Sequence, residues 1–207
     1  MNGSDLTAEL QDEHETAFSR LGSSKAMYAV TGGEMDGDSI RAAAASDALA
    51  LADVLESWAE SDGGGGDGEA DLFADLASAA RDRAADVADD PSDGDGPSRY
   101  EALATFESIP ARLGGLLGRY LVALEHAGQM VGFFIGDADP MAADDFRGYR
   151  SELEAERDRV LAALDGACDS DDDWKAAREA ADAVVEAAYD DYVKTLESMG
   201  IKPKNVC

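Results

Sequence analysis

Apolar residues recur along this chain at intervals of three and four, the period of one face of a helix. Over residues 5–30, Leu6, Leu10, Ala17, Leu21 and Tyr28 form a heptad-like stripe. Ser4 or Thr7 is placed to cap that helix, Asp5 and Glu9 suit its positive end, and Gly32-Gly33 ends it. Residues 38–61 carry Ile40, Ala44, Leu51, Val54 and Trp58 on one stripe, interrupted by Asp47. Residues 69–88 repeat the pattern with Leu72, Leu76, Ala79 and Val87, interrupted by Arg83. The same period predicts helices over 100–136, 141–167 and 171–199, with Tyr100–Ser108 a short helix or the first part of the longer one. Pro110 suits the start of the central helix, where a missing N–H costs little. The GGGG run at 63–66 reads as a linker and 89–98 as a solvated loop. Gly200 stops the last helix, leaving 200–207 as an extended tail. No alternating strand pattern and no fixed repeat occurs. The expectation is an all-α bundle of about six helices in one domain, residues 1–199.

Residues 110–136 are the most apolar stretch, with Arg119 and Glu125 the only full charges between Leu113 and Ile135. A helix apolar on most sides is a central core helix or a membrane span. Arg119, Glu125, His126 and Gln129 argue for the core, since a charge at the bilayer centre costs about 2.5–3.5 kcal/mol on the lenient insertion scale. Gly114 and Gly118 are four apart, as are Gly128, Gly132 and Gly136, and such rows predict close helix contacts.

Charge changes the picture of habitat. The 207 residues hold 45 acidic and 17 basic side chains, a formal charge of −28. Dispersed acid on a chain that keeps its apolar stripes fits a protein of concentrated salt, where the Debye length falls to about 3 Å at about 1 M. The 45% hydrophobic content argues against a disordered acidic chain. Non-specific nucleic-acid binding needs clustered Lys and Arg and is not expected. Two cysteines, Cys168 and Cys207, form no disulfide framework, and MNGSDLTAEL lacks a basic region followed by an apolar run. A cytoplasmic protein is expected.

Four polar side chains fall near the inward stripes of the first three helices: Glu13, His14, Asp47 and Arg83. In one bundle they would meet at mid-height. Carboxylates and imidazoles from facing helices are the ligands of di-iron bundles, which use Glu-x-x-His on two helices. The two histidines here, His14 and His126, both lie outside that motif, and Arg83 would bring a cation where a metal would sit. A metal-free polar cluster is therefore expected, with an iron or manganese site built from Glu13, His14, Asp47 and His126 as the alternative. Glu125–His126 is a second acid–imidazole pair, either a core-flanking histidine or a general base. The tail GIKPKNVC is locally basic through Lys202 and Lys204 and ends on Cys207, giving a frayed end, a docking peptide, a redox thiol or a terminal ligand. Cys168 reads as a small semi-buried residue. No phosphate loop, Cys-x-x-Cys or Gly-x-Ser-x-Gly is present.

The segments HETAFSRLGSSKAMYAVTGGEM, AAAASDALALADVLESWAES, VGFFIGDADP and AAYDDYVKTLESMGIKPKNVC resemble the acidic ferritin-like, rubrerythrin-related proteins of haloarchaea. That resemblance implies a ferritin-like bundle, with a homodimer among its assemblies. Its Glu-x-x-His ligands for iron and oxygen chemistry are missing here. The expected function is a non-catalytic binding or scaffold protein of a halophilic cytoplasm, meeting a protein partner through its tail. The alternatives are a metal-dependent redox protein with a non-standard site and a thiol sensor using Cys207.

Overall fold

A computed structural model describes residues 1–61, 67–88 and 97–203, and among these the protein is all-α, with nine helices and no strand. The helices are α1 (Gly3–Glu13), α2 (Glu15–Leu21), α3 (Ser24–Val30), α4 (Gly37–Ser61), α5 (Asp67–Val87), α6 (Ser98–Ala104), α7 (Ile109–Gly136), α8 (Pro140–Ala167) and α9 (Asp171–Ser198). No helix is long and apolar enough to cross a membrane among the described residues.

The five long helices follow the periodic segments closely. The N-terminal prediction does not survive: residues 5–30 form three helices instead of one. The first break is at His14 (φ −99°, ψ 23°), and the second is at Gly22 and the extended Ser23. The Ser23 hydroxyl donates to the Arg20 carbonyl at 2.6 Å, closing the turn. The stripe therefore changes phase, and Tyr28, expected inward, is 40% exposed while Ala26 and Met27 are buried. The N-cap of α1 is Asn2 rather than Ser4 or Thr7. Its side chain accepts from Asp5 N at 2.9 Å and Asp5 answers on Asn2 N at 3.2 Å, a capping box. Residues 100–136 also divide. Chain 105–108 separates α6 from α7, Ser108 caps α7 and Pro110 sits in its first turn.

The central position of α7 holds: it packs along α8 on one side and α9 on another, while α4 and α5 form an antiparallel hairpin. Gly114 and Gly118 are where α7 meets α9. A Cβ on Gly114 would lie 2.0 Å from the Ala177 carbonyl oxygen, and one on Gly118 2.7 Å from that of Ala181. The other glycine row is different. Nothing lies within 4 Å of a Cβ built at Gly128, Gly132 or Gly136, so these glycines admit no neighbouring helix. The α4 and α7 backbones are not among the closely packed pairs, and side chains span the space between them.

The two glycine rows respond oppositely to a methyl group. Gly114→Ala forces α7 from α9 and lowers unfolding free energy by about 1–3 kcal/mol or more. Gly132→Ala, exposed in the same helix, raises it by about 0.5–1 kcal/mol. Chemical unfolding in molar KCl measures both.

Candidate functional site

The side chains that bridge α4, α6 and α7 form one buried network. Asp47 on α4 is flanked by Ala43, Ala44 and Ala48, whose small side chains leave room for long ones opposite. Arg119 on α7 reaches across, and its Nη2 donates to Asp47 Oδ2 at 2.6 Å. From α6, Arg99 Nη2 and the Tyr100 hydroxyl both donate to Oδ1, the hydroxyl at 2.6 Å. Arg119 Nε closes the ring by donating to the Tyr100 oxygen at 3.0 Å. Burial alone would raise the Asp47 pKa. Arg99, Arg119 and the Tyr100 hydroxyl outweigh it and hold the carboxyl well below the ordinary range. Burial, with the neighbouring Asp47 charge, pushes the Tyr100 phenol up, so it stays protonated and donates.

A second pair lies beside it. Arg83 on α5 donates through Nη1 to Glu156 on α8 at 2.6 Å, and Tyr120 donates to the other Glu156 oxygen at 3.0 Å. Arg83 also lies over the Tyr149 ring, 5.4 Å from its centroid, and Arg119 over Tyr120 at 4.9 Å.

A cavity of about 390 Å³ opens against the Asp47 network, lined by residues of α3, α4, α6, α7 and α9 with Leu21 of α2 and Tyr149 of α8. Leu21, Ala26, Val30 and Met130 give it an apolar wall, and Asp47, Arg99, His126 and Asp191 give it polar points. Two of the polar residues carry unmet hydrogen-bonding capacity. Arg99 Nε and His126 Nε2 are buried without a partner, as is Arg119 Nη1 behind them. Such orphans are rare in folded proteins and call for an explanation. Burial first, then the Arg99 and Arg119 charges against the opposing Asp47, press the His126 pKa down to about 3. The imidazole is neutral at ordinary pH.

The expected cluster of Glu13, His14, Asp47 and Arg83 is not assembled. Glu13, with a side chain 52% exposed, pairs with Arg178 at 2.6 Å on α9. His14 Nε2 meets Asp182 at 2.8 Å on the same helix. Asp47 bonds to Arg99, Tyr100 and Arg119, and Arg83 bonds to Glu156. The break at His14 is the physical reason: it places Glu13 and His14 at a helix junction facing α9, away from the α4 network. The alternative metal set is split in two: Glu13 and His14 face α9, while Asp47 and His126 lie on the cavity wall. Among the described residues no group of three His, Cys, Asp or Glu converges in a way that could hold a metal ion. Glu125 and His126 also part company. Glu125 lies against Gly22, and burial, opposed by Arg150, raises its pKa, while His126 lines the cavity.

In the tail, Lys204 and Cys207 lie outside the described residues, as do the 63–66 linker and most of the 89–98 loop. Lys202 is held by its backbone: its carbonyl accepts from Lys25 Nζ at 3.0 Å. The Pro203 carbonyl accepts from Arg20 at 3.1 Å and from the Tyr192 hydroxyl at 3.1 Å. The tail is thus tied to the body through Pro203. Cys168 is buried, and burial followed by Asp173, Asp165 and Asp169 pushes its thiol up to about 11, which disfavours the reactive thiolate.

Arg99, Tyr100, Arg119 and Glu156 are the residues that sequence reasoning missed as site members. A signal existed for one pairing: an arginine in the most apolar helix and an aspartate inside an apolar stripe each require a partner. Compared with protein-family models, curated proteins and solved structures, the chain matches none.

Asp47→Asn leaves two buried guanidiniums without a counter-charge and lowers unfolding free energy by about 3–5 kcal/mol. Denaturant titration at constant KCl reads this directly. His126 governs a separate pH response. Its folded pKa near 3 lies below the ordinary 6.5. Its stabilising contribution is whole above 6.5 and is lost as pH falls toward 3, at about 1.4 kcal/mol per pH unit. His126→Gln removes that part of the slope, so stability curves of the two chains converge or cross as pH falls from about 6 to about 4.5.

Proposed function

We propose that this protein is a non-catalytic, ligand-holding bundle of ferritin-like plan, working in the concentrated salt of a halophilic cytoplasm. One observation carries the reading: a cavity of about 390 Å³ opens against the buried Asp47 network, with Arg99 and His126 on its wall. Its volume lies in the range of ligand sites, which begins at about 300 Å³, and its lining mixes apolar and polar side chains. The polar groups at this wall suit binding better than chemistry. Asp47 is held deprotonated with three donors on its oxygens, and Tyr100 stays protonated. His126, with a pKa near 3, is a weak proton acceptor at neutral pH. The acidic surface and −28 charge support the saline habitat.

The test is ligand-observed NMR on the full chain in molar KCl, using a library of small amphipathic compounds. An Ala43→Trp variant, whose indole fills the cavity from α4, serves as the control. The expected result is a set of compounds that bind the native chain and lose binding in Ala43→Trp at unchanged helicity. No binding at all, or hits indifferent to the substitution, would sink the proposal.

A further inference from the structure

We infer that the cavity takes a primary alkylammonium, its head seated on Asp191 and its apolar body along Leu21, Ala26, Val30 and Met130. This rests on the ligand-holding reading above and names the ligand's chemistry. Three charged side chains line the cavity: Arg99, Asp47 and Asp191. Arg99 and Asp47 are committed to each other, for Arg99 Nη2 donates to Asp47 Oδ1. Arg119, at 0% exposure, stands behind the wall and bonds the second Asp47 oxygen. The unpartnered nitrogens of Arg99, Arg119 and His126 are enclosed and present no surface to the cavity. Asp191 on α9 is different. It forms no ion pair among the described residues, and its oxygens meet neutral donors of Ser98: the backbone N at 2.8 Å on Oδ2 and the hydroxyl at 2.7 Å on Oδ1.

Each Asp191 oxygen therefore keeps acceptor capacity for a ligand. Two further acceptors stand beside it. The Ser98 hydroxyl gives its proton to Oδ1 and keeps its own lone pairs. Thr195 lies one helical turn along α9 from Asp191, on the same wall of the cavity. A primary ammonium brings three N–H donors and one positive charge to this set. Hydrogen bonds with a charged member are about twice as strong as neutral ones. An alcohol supplies one donor and no charge. A carboxylate brings acceptors to acceptors, and its charge repels Asp191 and Asp47. The buried arginines do not reverse the choice, because they are turned onto Asp47 and Tyr100. The charges that act on His126 are Arg99, Asp47 and Arg119, without Asp191, so this carboxylate stands apart from that group. With one positive and two negative side chains, the wall itself sums to −1, in a protein whose total is −28.

The experiment titrates the full chain, at fixed KCl and neutral pH, with octylamine, octanol, octanoate and octyltrimethylammonium, and with shorter amines down to methylamine. Octylamine is expected to bind about tenfold or more tighter than octanol, with octanoate weakest. Octyltrimethylammonium has the charge without the donors and should bind about tenfold weaker than octylamine. Affinity should rise with chain length. Asp191→Asn keeps the shape of the side chain and an acceptor for Ser98. It should erase the preference for the amine and leave octanol binding within about twofold. If Asp191→Asn does not fold, Thr195→Val, which removes an acceptor at unchanged charge, must show a reduced preference for the amine in the same series.

Equal binding of octanol overturns the ammonium assignment while the ligand-holding reading stands. So does tightest binding of octanoate. Equal binding of octyltrimethylammonium overturns the hydrogen-bonded head, and an amine preference unchanged in Asp191→Asn overturns the seat. A series flat from methylamine to octylamine overturns the apolar-bodied class. Failure of all four octyl compounds alongside hits in the broader library overturns this chemistry alone. Failure of both removes the binding reading as well.

Discussion

Asp47 ties α4 to α6 and α7, and α4 and α7 are not among the closely packed backbone pairs. Its carboxylate takes Arg119 from α7 and Arg99 and Tyr100 from α6. A buried ion pair adds little net stability compared with a well-packed apolar core, because desolvation offsets the attraction. Removing one partner is another matter, since the remaining charge is stranded. The network therefore acts mainly on placement. It sets how far α4 stands from α7 and which residues of α6 face inward, and the cavity is the space that this spacing leaves.

The two sides of α7 show how one helix can pack tightly and stand off at once. Toward α9, Gly114 and Gly118 let the backbones touch, with no room for a methyl group against Ala177 or Ala181. Toward α4, Arg119 carries a long side chain across a gap. Gly115 faces a third neighbour, where a Cβ would fall 2.6 Å from the Phe106 ring, so the chain between α6 and α7 is folded back onto the helix. That fold-back helps to bring Arg99 and Tyr100 within reach of Asp47. Tight contact on one face and reach on another are thus one arrangement, because α9, held close by the glycines, also forms the cavity's far wall through Asp191 and Tyr192.

The long helices were legible because period alone specifies them. Residues 141–167 and 171–199 keep an unbroken apolar stripe and 38–61 one interrupted by Asp47, and α4, α8 and α9 follow those spans closely. The break at His14 was not legible. It has neither proline nor glycine, and the heptad-like spacing of Leu10, Ala17 and Leu21 runs across it. The network was half legible. Asp47 and Arg83 were visible as charges in apolar stripes, but their pairing with each other was an assumption about which helices face. Period gives the phase of each helix and says nothing of its neighbours. Asp47 found α6 and α7, and Arg83 found α8. Arg99 lay at the edge of a loop-like stretch, where no stripe could mark it as inward.

Charge at the surface and charge in the interior obey different rules here. At about 1 M salt the Debye length of about 3 Å screens exposed carboxylates from one another. Pairs such as Lys175–Glu179, with side chains 70% and 67% exposed, add little under those conditions. The Asp47 network is buried, and its charges are answered by the groups that touch them. Salt in the solvent acts on the exposed carboxylates, and the buried arginines act on Asp47. The two properties can be tuned separately, one by acid on the surface and the other by the ratio of Arg to Asp within.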